Sequence, residues 1–225
     1  MRKFLASLAS LLLLVAILLS IVDVLCFAKG FYTYEYRKGN QAEKIGMSEE
    51  GLMDATVTLL DYLKDKRDDI IVETEVNGEL REVYDARETL HMVDVKNLYQ
   101  NAMKARTIFA IGAIAIALGL YFTKKKGFWG LMRQGYRNAL LLMVLFVPFI
   151  AIWCIVDFNA FWMNFHYVFF DNDLFLLNPN VSIMINMFPE SFFFDIVAAI
   201  IIVFAVCIGL CAYGLRFAAK KEMAQ

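Results

Sequence analysis

Apolar residues are gathered into four long blocks, at about 4–28, 104–122, 139–156 and 192–217, with segments of mixed polarity between them. A helix needs about 20 predominantly apolar residues to cross the hydrocarbon layer of a bilayer, so each block predicts a transmembrane helix. The second block is the shortest in apolar residues and reaches span length by continuing the helix before it, from about Lys104. The first block follows Arg2 and Lys3, as the apolar region of a signal peptide would. It is longer than such a region, which argues against a cleaved signal. The bulky Leu25 also precedes Cys26, where a lipoprotein acceptor cysteine would need a small neighbour. A retained anchor is expected.

The intervening pattern changes period. In "MSEEGLMDATVTLLDYLKDKRD", Leu52, Leu59, Leu60 and Leu63 recur at helical spacing, and Ser48 stands where an N-cap belongs. "IIVETEVNGELREVY" alternates instead, and its Asn77-Gly78 pair is the strongest short signal for a β-hairpin. "ARETLHMVDVKNLYQNAMKAR" contains no breaker and runs into the second span as one helix. After the third span, "DNDLF" and Asn178-Pro179 are turn-like, and Pro189-Glu190-Ser191 opens the fourth. The fold expected is a membrane all-α protein of four transmembrane helices with a small extracytoplasmic helix-plus-β-hairpin cap. Residues 1–225 form a single integral membrane domain, the cap being about 29–103 and 157–191.

Charge sets the orientation. Arg2 and Lys3 precede the first span, Lys124, Lys125, Lys126, Arg133 and Arg137 lie between the second and third, and Arg216, Lys220 and Lys221 follow the fourth. Residues 138–215 contain no lysine or arginine. By the positive-inside rule both termini are expected to be cytoplasmic and the cap to face the outer side of the membrane. Lysines in 29–103 do not reverse this, because long mixed-charge segments translocate regardless of sign. With 60% hydrophobic residues and a formal net charge of −1, the composition is that of a membrane protein, with no basic surface for nucleic acid. All four cysteines fall inside apolar runs and read as small fillers rather than a disulfide framework.

The chain has two histidines, and both fall in the cap. His91 shares a helix face with Asp94, Val95 and Leu98, and Asp94 is near enough in sequence to orient the imidazole. His166 sits among Phe165, Tyr167, Phe169, Phe170 and Phe175, aromatics that suit a membrane interface. Imidazole is the side chain best suited to proton transfer near neutral pH. The bland alternatives are a surface His–Asp pair and an aromatic belt with an incidental histidine.

Two blocks, "ETLHMVDVKNLY" (88–99) and "FHYVFFDNDLFLLNP…INMFPESFFFD" (165–195), resemble the signature blocks of the bacterial lipoprotein intramolecular transacylase family. The likeness extends to the four spans, the cap and the order of the blocks. Against the family pattern F-F-P-G-D-x-W-L, this chain places Asp171, Asn172 and Phe175 at the proline, glycine and tryptophan, and keeps Asp173, Leu176 and Pro179. The resemblance implies that His91 and His166 are the two essential histidines, with Asp94, Glu88, Lys96 and Asp173 as supporting candidates. It implies transfer of the sn-2 fatty acyl chain of a diacylglyceryl-cysteine lipoprotein to the α-amino group of that cysteine, giving the lyso form. The expected partners are the lipoprotein substrate and membrane lipid, for a monomer without cofactor or metal.

That chemistry suits the residues. Ester and amine belong to one molecule, so their approach supplies effective molarity and no enzyme nucleophile is required. The sequence offers no G-x-S-x-G elbow. His91, oriented by Asp94, is the expected base on the amine and His166 the polarising partner, although the roles could be exchanged. One rival is a metal-dependent membrane hydrolase using His91, Asp94 and His166, which EDTA would inhibit; no dense ligand motif supports it. The other is a non-enzymatic adaptor or transport accessory, suggested by Asp23 and Asp195 near the outer ends of spans. Loss of acyl transfer on histidine replacement would disfavour it.

Overall fold

The computed structural model describes residues 1–124 and 126–224. Lys125, one of the basic residues that set the expected orientation, lies outside the described residues. In chain order the elements are α1 (Arg2–Cys26), α2 (Lys29–Gly39), α3 (Gln41–Ile45), α4 (Glu49–Leu63), β1 (Glu73–Val76) and β2 (Glu79–Glu82), then α5 (Ala86–Thr123), α6 (Phe128–Val156), α7 (Phe158–Phe169), α8 (Ile183–Met187) and α9 (Glu190–Met223). Among the described residues, α1, α5, α6 and α9 are long and apolar enough to cross a membrane. At 1.5 Å per residue the 38-residue α5 is roughly 57 Å long, about twice the hydrocarbon thickness, so its polar first half lies outside the spanning part.

The chain divides into two units. The first comprises Met1–Val24, Ala102–Val156 and Val197–Gln225. Its helices meet through small residues: Ala6 and Ala9 are buried against Leu120, Phe128, Leu131 and Met132. A Cβ on Gly135 would stand 2.4 Å from the Ala6 carbonyl carbon, so only glycine permits α6 to approach α1 this closely. Specific polar ties join them as well. The Tyr136 hydroxyl donates to the Ile208 carbonyl at 2.7 Å, and Arg106 Nη1 meets Asp23 Oδ2 at 2.8 Å. The Glu222 carboxylate accepts from the free N–H groups of Phe128 (2.9 Å), Trp129 (3.1 Å) and Gly130 (3.4 Å), capping α6 from the end of α9. Large apolar side chains such as Leu145, Ile155 and Leu210 stay exposed, as a lipid-facing surface requires.

The second unit comprises Leu25–Asn101 and Asp157–Ile196. Ser48 Oγ caps α4 by accepting from Gly51 N at 3.0 Å, and Leu52, Leu59, Leu60 and Leu63 are buried on one face, as their spacing predicts. The hairpin pairs Val76 with Glu79 around Asn77 and Gly78, whose φ of 53° and 85° give the left-handed turn that matches strand twist. Asn77 N donates to the Gly46 carbonyl at 2.8 Å, and Thr74 fills the space beside Gly51, fixing the hairpin to α3 and α4. The core gathers Tyr32, Tyr36, Tyr62 and Tyr84 with leucines of α4 and with Met184, Met187 and Phe192. Buried tyrosine hydroxyls find partners: Tyr36 with Thr56 Oγ1 at 2.7 Å, and Tyr84 donating to the Ala55 carbonyl at 2.9 Å. Asp195, a candidate for ion handling by sequence, forms an ion pair with Lys38.

Candidate active site

Two helices of the second unit carry the histidines. The start of α5 is fixed by a reciprocal capping box. Asp85 Oδ1 accepts from Glu88 N at 2.8 Å, and Glu88 Oε2 accepts from Asp85 N at 2.7 Å. His91 follows one turn later. α7 starts where Asp157 Oδ1 accepts from Ala160 N at 2.9 Å. It places Phe158, Trp162, Phe165, His166 and Phe169 along one side by helical spacing. The helix ends at Phe170, which is extended, and the chain then turns through Asn172, whose Oδ1 accepts from Leu174 N at 3.0 Å.

These elements bring the two imidazoles together, with ring centroids 5.9 Å apart and planes inclined by 33°. Both are buried, His91 at 6% and His166 at 9% exposure. Their walls are aromatic. Trp162 and Phe165 meet His166 edge-on, Phe175 stacks on it at 4.8 Å, and Phe170 lies 5.3 Å from His91 and 5.6 Å from His166. His166 Nδ1 is 2.7 Å from the Trp162 carbonyl. A carbonyl can only accept, so Nδ1 carries the proton and Nε2 presents a lone pair. His91 differs: its Nδ1 is buried and has no hydrogen-bond partner among the described residues.

Burial pushes His91 down to about 4, assisted by His166 and by Arg87 and opposed by Asp94. His166 is also lowered by burial, partly offset by the hydrogen bond to Trp162. Both rings are therefore neutral at pH 7.

The supporting candidates have separate fates. Asp94 Oδ2 accepts from Asn172 Nδ2 at 2.8 Å, so its carboxylate is tied to the turn after α7 rather than to the imidazole one turn away. Glu88 is 1% exposed and joins α5 to α8: its Oε1 accepts from Ser182 Oγ at 2.5 Å and from Met184 N at 3.1 Å. Lys96 reaches Asp65 at 2.7 Å and lies over the Tyr62 ring, fastening α5 to the end of α4. Asp173 is 77% exposed on its side chain, and its carboxylate and carbonyl both meet Arg87. Sequence reasoning passed over Arg87 and Trp162. The available signals were their positions four residues before His91 and before His166, one helical turn away in each case. Among the described residues no group of three or more His, Cys, Asp or Glu side chains converges as a metal site.

Fold and site define an integral membrane protein with four membrane-length helices among the described residues and a buried, aromatic-walled histidine pair. The family model described as lipoprotein intramolecular transacylase Lit matches residues 7–193. The chain belongs to this family and is an acyltransferase. No curated protein matches the sequence. Among solved structures, the chain is similar to the membrane integral lipoprotein intramolecular transacylase Lit from Bacillus cereus, with a TM-score of 0.78 and 19% identity over 100% of this chain and 98% of that one. Two variants of that protein, with one histidine replaced by arginine or by alanine, give TM-scores of 0.76 and 0.78, also at 19% identity. They are covered to 95% and 96% of their length by the whole of this chain.

Proposed function

We propose that this protein moves the sn-2 acyl chain of a diacylglyceryl-cysteine lipoprotein to the α-amino group of the same cysteine, with His91 and His166 as the acid–base pair. The observation that carries the reading is the meeting of the chain's two imidazoles in one aromatic chamber, 5.9 Å between centroids. The α-amino nitrogen attacks the ester carbonyl carbon, and the C–O bond to the glyceryl oxygen breaks. One N–H proton leaves the nitrogen and one proton arrives on the glyceryl oxygen, so a base and an acid suffice and no net proton is consumed. A free α-amino group has a pKa near 8, and an apolar chamber favours its neutral, nucleophilic form.

The tautomers support an assignment opposite to the one expected from Asp94. His166, with Nδ1–H held by the Trp162 carbonyl, offers Nε2 as the base. His91, neutral because of burial, hydrogen-bonds the developing oxyanion, and His166 passes the proton it took from the amine to the departing glyceryl oxygen. The aromatic walls accommodate acyl chains. The second unit is read as a cap on the outer face of the bacterial cytoplasmic membrane, with both termini cytoplasmic, 1–225 acting as a single domain and a monomer, in contact with membrane lipid. The lysine and arginine distribution supports this orientation.

Mass spectrometry of the N-terminal peptide of a reporter lipoprotein tests the proposal. The wild type should yield an amide on the cysteine, loss of the ester from the same molecule, and no free fatty acid. His91→Asn and His166→Asn should each lower the rate by roughly 10²–10⁴-fold, the usual worth of a general acid–base step. Undiminished lyso-lipoprotein from both variants would remove the histidines from the chemistry. Released fatty acid in place of amide would make the protein an esterase.

A further inference from the structure

The histidine pair is shut. His91 and His166 are 6% and 9% exposed, and His91 Nδ1 is buried with no hydrogen-bond partner among the described residues. An acid–base pair must come within about 2.6–3.2 Å of the reacting atoms. The space beside both rings is filled by Phe170 and Phe175, with Phe175 stacked on His166 at 4.8 Å and 6.5 Å from His91. Both phenylalanines belong to the short stretch after α7, residues 170–175, which is not part of a helix.

The attachment of that stretch is distinctive. Two side chains of α5 grip it from either side of His91. Arg87, four residues before, takes the Asp173 carbonyl and carboxylate. Asp94, three residues after, takes Asn172 Nδ2 at 2.8 Å. Both ties are at the surface, where ion pairs and hydrogen bonds compete with water and contribute little. The aromatic rings beneath them are buried. The arrangement is an apolar plug held down by two weak, water-exposed fastenings, rather than a wall built into the core.

We propose that residues 170–175 form a strap that closes the histidine pair, and that the diacylglyceryl group of the substrate enters by displacing Phe175, with the Arg87–Asp173 and Asp94–Asn172 ties setting how readily the strap opens. This rests on the reading of the histidines as the acid–base pair. It adds that access, not only chemistry, is built into the site. An acyl chain is a suitable replacement for a phenylalanine ring, since it leaves the aromatic walls covered by apolar surface throughout.

Two measurements test the strap. The first does not depend on activity. A cysteine is placed at the buried ring position by His166→Cys, in full-length protein whose four native cysteines are replaced by alanine, and its rate of modification by a maleimide is followed in detergent. Cutting both ties with Arg87→Ala and Asn172→Ala should raise that rate by an order of magnitude; an unchanged rate overturns the strap. The second uses the reporter lipoprotein. Cysteines introduced at 87 and 173, in the same alanine background with both histidines present, are bridged by a short bifunctional methanethiosulfonate. Bridging should abolish lyso-lipoprotein formation, and reduction should restore it. Full activity of the bridged protein overturns the strap while leaving the histidine chemistry intact. A pair of active histidine-to-asparagine variants instead defeats the acid–base reading itself. If the reduced double-cysteine protein is inactive, the modification rate alone decides.

Discussion

Glu88 gives the most quantitative test of the architecture around the site. Its carboxylate is 1% exposed and accepts three hydrogen bonds, from Ser182 Oγ, Met184 N and Asp85 N. All three partners are donors, so a carboxylate satisfies them and an alanine satisfies none. The Ser182 and Met184 bonds are buried, and a buried donor left without a partner costs about 1–3 kcal/mol. Glu88→Ala should therefore destabilise the protein by about 2–6 kcal/mol, a large share of the ordinary margin. For a chain of this size that corresponds to a fall in melting temperature on the order of 10 °C. Tryptophan fluorescence during thermal unfolding in detergent measures it. Ser182→Ala removes one of the same bonds together with the α8 cap, in which Ser182 Oγ accepts from Ile185 N at 3.1 Å. The double variant should be less destabilised than the sum of the singles, by about 0.5–3 kcal/mol, because both remove one shared interaction. Glu79→Ala, on the exposed strand β2, is the control and should change little. A Glu88→Ala midpoint no lower than that control, or strict additivity with Ser182→Ala, would refute the view that Glu88 fastens α8 to the helix carrying His91.

Gly135→Ala should destabilise the first unit, because its methyl would press within 2.4 Å of the Ala6 backbone, whereas Gly130→Ala, with nothing within 4 Å among the described residues, should be tolerated; detergent-extracted yield and melting temperature compare them. Glu222→Gln should lower stability by about 1 kcal/mol, since the charge that caps the α6 N-terminus is lost while the oxygen remains, and thermal unfolding should register it. His91 supplies a pH prediction. Its folded pKa, about 4, lies below the free value of 6.5, so the unfolded chain binds the proton first as pH falls. Stability is then fully present above about pH 6.5, declines toward pH 4, and loses at most about 3 kcal/mol on this account. Replacement of His91 by asparagine should flatten that part of the unfolding profile, and an unchanged slope would show that the imidazole is not desolvated.

Much of the frame was legible in the sequence because it follows from local rules. Apolar block length marked the four long helices, and the loss of backbone hydrogen bonding in lipid leaves helix as their available form. Ser48, the leucine spacing of α4 and Asn77-Gly78 specified a capped helix and a left-handed turn from interactions a few residues apart. The two histidines could be singled out because imidazole is scarce in this chain and suited to proton transfer. α7 was harder to see, since Phe, Trp and Tyr at nearly every position hide the helical period and suggest an interfacial belt equally well. Tertiary structure alone decided the partners. Asp94 is three residues from His91 yet bonds Asn172, 78 positions away, because the turn after α7 comes to rest on α5. Glu88 is read locally as half of a capping box, and only the packing of α8 makes it a buried three-way junction. The closeness of the imidazoles and the orphaned Nδ1 of His91 have the same origin. They depend on where two distant helices meet and which surfaces that meeting removes from water, and neither quantity is written in the spacing of residues along the chain.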